Sequence, residues 1–116
     1  MKMTVAVAEQ NKLAELAETE KIIEVRKRYR ERDEKIYADT DIESLIWTLS
    51  GLCGTNVHVE NEADMYFGLL DFRDFVLEKY DILSEDERIK HKKDMEIVLK
   101  ETDEELESLK NIVLQS

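Results

Sequence analysis

Proline is missing from this 116-residue chain, and glycine occurs only at Gly51, Gly54 and Gly68. Long helices can therefore run without the residues that usually interrupt them. Cysteine is limited to Cys53, which excludes an intramolecular disulfide and a thiolate zinc cage within one chain. Histidine is limited to His58 and His91, leaving few groups that titrate near neutral pH. The apolar runs are short: Leu45-Ile46-Trp47 and Phe75-Val76-Leu77 fall far below the ~20 residues a bilayer span requires. No Gly-rich phosphate loop, Gly-x-Ser-x-Gly elbow or His-Glu-x-x-His occurs. Residues 1–8 lack the extended apolar core of a secretory signal. These absences lead us to expect a cytoplasmic, non-catalytic protein with no metal, no cofactor and no membrane attachment.

What is present is charge on an apolar framework. Hydrophobic residues make up 42% and charged residues 39%, with 28 acidic against 17 basic side chains and a formal net charge of −11. A chain of this length has the surface-to-volume balance for one core, so a single helical domain is expected over residues 10–116, preceded by a flexible segment at 1–9. Residues 10–37 are mostly good helix formers, with Leu13, Leu16, Ile22, Ile23, Val25, Tyr29 and Ile36 recurring in steps of three, four and seven. One long helix is the natural reading. Thr40 followed by Glu43 forms a capping box that should start a second, short helix, closed by Gly51 and Gly54. Its apolar residues, Trp47 among them, occupy nearly every face, so it should lie buried.

Met65, Leu69, Phe72, Val76 and Tyr80 mark a third helix from about residue 61. Ser84 and Glu87 repeat the capping geometry and open a fourth. There Met95, Leu99, Thr102, Leu106, Leu109 and Val113 form a seam a little under three heptads long, compatible with a parallel homodimer. Val98 and Ile112 widen that seam toward bundle packing, which favours burial within the chain. The expected fold is all-α, a bundle of three long helices and one short buried helix joined by short connections.

Positive charge concentrates at Arg26, Arg28, Arg30 and Arg32. Clustered guanidiniums can release counterions from nucleic acid, so this segment is a candidate nucleic-acid contact. The competing reading, a solvated helix face with Glu24–Arg28 and Glu31–Lys35 pairs, is favoured because so acidic a chain repels a polyanion elsewhere. Negative charge concentrates at Glu101, Asp103, Glu104, Glu105 and Glu107. A row of carboxylates on a rigid helix can imitate a phosphate backbone and inhibit a DNA- or RNA-binding enzyme, although lysines interrupt the field.

Glu87, His91 and Asp94 could share one helical face and offer ligands to a metal, but a di-iron bundle needs histidines on two helices. His58, Glu60, Glu62 and Asp64 gather ligand types near a helix start, where acids also complement the helix dipole. Cys53 has apolar neighbours and reads as a small core filler rather than a nucleophile. Trp47 and Phe67 are the aromatic candidates for a partner surface; Phe67 falls two positions from both Met65 and Leu69 and should point away from the main stripe. The functional expectation is a regulator, inhibitor or assembly factor that acts by binding another protein, with homodimerisation through the last helix as an option. Small size, acidity and missing catalytic motifs also suit a phage-encoded regulator, a link made by association.

Overall fold

The computed structural model describes residues 5–53 and 62–115, with side-chain surroundings for 11–53 and 63–115. Among the described residues the chain forms five α-helices and no strand: α1 (Val5–Ala17), α2 (Glu20–Ile36), α3 (Ile42–Leu52), α4 (Glu62–Asp81) and α5 (Glu85–Gln115). None of these helices is long and apolar enough to cross a membrane. At ~1.5 Å per residue the 31 residues of α5 span about 46 Å, so this one helix sets the 47 Å long axis of the molecule.

The first long helix of the sequence reading is two helices. Thr19 breaks it without proline or glycine, because its hydroxyl competes for backbone partners on both sides. Oγ1 donates to the Leu16 carbonyl at 2.7 Å, closing α1, and accepts from the Ile22 amide at 3.4 Å, capping α2. Glu20 then places an acid in the first turn of α2, where the helix dipole favours it. The second helix also starts one residue later than the capping box implies: Asp41 is the N-cap, and its carbonyl accepts the Leu45 amide. The fourth start is as read, with Ser84 Oγ accepting the Glu87 amide at 3.3 Å. Tyr80 pins the turn between α4 and α5 by donating its hydroxyl to the Arg88 carbonyl at 2.8 Å.

Helices α3, α4 and α5 enclose the core. Ile42, Leu45, Ile46 and Leu49 of α3 meet Leu69, Phe72, Phe75 and Val76 of α4 and Met95, Val98, Leu106 and Leu109 of α5 in one cluster. Thr102 is buried among them because its hydroxyl donates to the Val98 carbonyl at 2.7 Å. On α5 the buried seam takes Val98 in place of Leu99 and extends back to His91. That seam is filled by the chain's own α3 and α4, so its residues are already occupied within one copy.

Helix α2 lies on the other side of α4, and α1 bridges α2 to the far end of α5. There Lys12 donates to the Leu114 carbonyl at 2.9 Å, supplying the cation that the last turn of α5 lacks.

Candidate functional site

Two regions emerge from the helix geometry: the exposed edge between α3 and α5, and the seam between α2 and α4. On α3 the inward positions 42, 45, 46 and 49 leave Trp47 on the outer face, where it is 51% exposed. The expectation that neighbours wrap this tryptophan is corrected. Among the described residues, helix α3 is packed by α4 and α5, and Trp47 points to the side neither covers.

Helices α3 and α5 run side by side in the same direction. Asp41, at the start of α3, lies near His91; farther along, Ser50 Oγ donates to Glu101 Oε2 at 2.9 Å and Cys53 Sγ lies 3.5 Å from Thr102 Oγ1. Trp47 stands one turn before Ser50, and Ile97, 46% exposed, stands one turn before Glu101. The two apolar side chains thus occupy matching levels at one edge, followed by the carboxylates of Glu101 and Glu105, both close enough to act on the Cys53 thiol. Burial pushes that thiol up, with Thr102 opposing in part, so Cys53 is held protonated.

The acidic run of α5 does not form one field. Asp103 turns toward α4 and pairs with Arg73 at 3.0 Å, and Glu107 pairs with Lys110 at 3.1 Å. Glu104, with Leu99, Asp103 and Glu107, borders a shallow depression on the outer face of α5. Glu101 and Glu105 belong instead to the α3 edge. A helix distributes a dense run around its circumference, so sequence adjacency overstates the patch.

Phe67 does not serve as an exposed anchor. It is 3% exposed, with the Arg26 guanidinium over its ring at 4.9 Å from the centroid and Tyr66 edge-on at 5.1 Å. It points away from the α3 and α5 side, as its spacing implies, but α2 covers that second face.

Most of the arginine patch is committed to α4 or to its own helix. Arg26 Nε and Nη2 grip Asp71 at 2.9 and 2.7 Å, and this hydrogen bonding raises the Arg26 pKa. Arg30 holds Glu78 at 2.8 and 3.4 Å and Glu34 at 2.8 Å, which raises its pKa further. Arg32 pairs with Asp33 at 3.1 Å while stacking over Tyr29. Arg28 is exposed. Arg26 and Arg30, candidates for the alternative nucleic-acid contact, are engaged instead in an intramolecular strap: charge-assisted pairs hold their planar groups against α4. Asp33 is 1% exposed and burial raises its pKa, against the pull of Arg32.

His91 is buried rather than on the surface, 3.6 Å from Glu87. Among the described residues no group of three His, Cys, Asp or Glu side chains is placed to hold a metal ion. The His58-to-Glu60 cluster lies outside the described residues. Sequence reasoning missed Ile97 as a surface residue; the signal was available in its position one turn before Glu101, off the seam that buries Val98. Compared with protein-family models, curated proteins and solved structures, the chain matches none of them.

Proposed function

We propose that this chain is a non-catalytic protein-binding module whose partner docks on the α3–α5 edge. Trp47 carries the reading. A half-exposed tryptophan on a rigid helix gives a binder a large apolar anchor at little entropic cost, and tryptophan is enriched at the energetic centres of interfaces. Ile97 extends the anchor, and Glu101 supplies the polar rim such anchors usually have. Regulator, inhibitor and assembly factor are all roles for such a module, and the lone protonated thiol of Cys53 suits the reducing cytoplasm.

Mimicry of nucleic acid draws less support. Asp103 and Glu107 are paired with Arg73 and Lys110, and Glu101 and Glu105 lie at the α3 edge, apart from Glu104. The test is affinity capture with the wild-type chain, Trp47→Ser and Ile97→Ser, scored together with thermal melts. The reading expects a partner retained by the wild type and weakened about thirtyfold or more by Trp47→Ser, with folding preserved. Partners held equally by all three chains would remove the α3–α5 edge from consideration. Competition of the captured complex by DNA or RNA would favour the mimic instead.

A further inference from the structure

The seam between α2 and α4 has the construction of a receptor groove with a resident ligand. Helix α2 is the one described helix in which basic residues outnumber acidic ones, seven to five, in a chain of net charge −11. It buries only two apolar side chains, Ile22 and Val25, and neither belongs to the central core cluster. The groove is specific in shape as well as charge. A Cβ at Gly68 would stand 3.1 Å from the Tyr29 ring, so the missing side chain forms a notch that the ring fills. Farther along α4 from Gly68, Asp71 and Glu78 receive Arg26 and Arg30, and Phe67 and Phe75 lie beneath those guanidiniums at 4.9 and 6.0 Å. Ile22, Val25, Arg26, Tyr29 and Arg30 are spaced three, four, seven and eight residues along one helical face.

We infer that the α4 face under α2 is a second docking site, and that it accepts a basic amphipathic helix of a partner protein in place of α2. The partner is defined by chemistry: two arginines four residues apart, each preceded by an apolar or aromatic residue. Charge complementarity selects it. Without Arg26 and Arg30 opposite, Asp71 and Glu78 would lose the guanidiniums that pair with them across the groove. An incoming helix competes with α2, which is tethered and so has a high local concentration. The site is therefore masked in the resting chain, and its apparent affinity is reduced by the fraction of time α2 is docked.

The probe is a fluorescein-labelled synthetic peptide with the sequence of residues 19–37, titrated against the full chain and followed by anisotropy. Arg26→Ala combined with Arg30→Ala in the chain loosens the resident helix and is expected to tighten peptide binding about tenfold relative to the wild type. A second chain variant, Tyr29→Ala, empties the Gly68 notch without changing any charge and is expected to act in the same direction. Adding Asp71→Asn and Glu78→Gln should abolish the gain, and a peptide with both arginines replaced by glutamate should not bind. The inference is overturned if neither chain variant gains affinity while the amides of α3, α4 and α5 remain protected, or if the glutamate peptide binds as well. Wild-type dimers that exchange α2 between copies would also overturn it, by assigning the groove to a second copy of this chain.

Discussion

On its α3 and α5 side, helix α4 presents Leu69, Phe72 and Val76 to a dry cluster of aliphatic and aromatic groups; on its α2 side it presents Asp71 and Glu78 to arginines. The first interface is non-directional and strengthens with the area removed from water. The second depends on bidentate geometry and on charges that remain partly exposed, so salt screens it and its net contribution is small. One helix thus belongs to a stable three-helix unit and also carries a weaker, selectively shaped seat for a fourth. Regions of low local stability are the ones that can move without unfolding the rest.

The largest expected difference between the two interfaces comes from truncation in the core. Phe72→Ala should cost about 3–5 kcal/mol in a denaturant melt, independent of salt. Arg26→Ala, which leaves the partly buried Asp71 without its partner, should cost about 1–2 kcal/mol, and the loss should shrink at high ionic strength. Equal costs for the two changes, or equal salt dependence, would erase the distinction.

Asp33 sharpens the comparison through pH. Burial raises its pKa above the ordinary value of 3.8, so the protonated carboxyl fits the folded chain better than the charged one. Its favourable contribution is complete below the unfolded pKa and is lost as pH rises through the folded one. Asp33→Asn should therefore stabilise the chain at pH 7, by about 1 kcal/mol, with the gain falling toward zero below pH 4. A loss at pH 7 instead would mean that the Arg32 pair outweighs the burial. Removing the Thr19 hydroxyl with Thr19→Ala should cost about 1 kcal/mol and act on the α1–α2 junction alone, as judged by amide exchange. Smallest of all, Trp47→Ser should change stability by less than about 1 kcal/mol despite replacing the largest side chain in the molecule, because half of that side chain already faces water.

The stripes that α4 and α5 turn to the core were legible in the sequence because their apolar positions recur in steps of three and four, and Ser84 was legible because its cap is local. The break at Thr19 was not, since no proline or glycine marks it and the apolar stripe continues across the junction. Trp47 and Phe67 exchanged environments for a related reason. Spacing tells which residues share a face of a helix, whereas the number of neighbours around that helix is a tertiary property. Helix α4 has two covered faces, which buries Phe67; among the described residues α3 has an uncovered one, which exposes Trp47. The clue to the second face of α4 was electrostatic. Asp71 and Glu78 on one helix and Arg26 and Arg30 on another carry opposite signs at spacings that place each pair on one face.

Native-state hydrogen exchange at low and high salt tests the two-interface account most directly. The account predicts that the amides of α2 open in a separate event of lower free energy than those of α3, α4 and α5, and that added salt lowers the free energy of that event while leaving the core helices unchanged. A single cooperative opening of all these helices, insensitive to ionic strength, would contradict it.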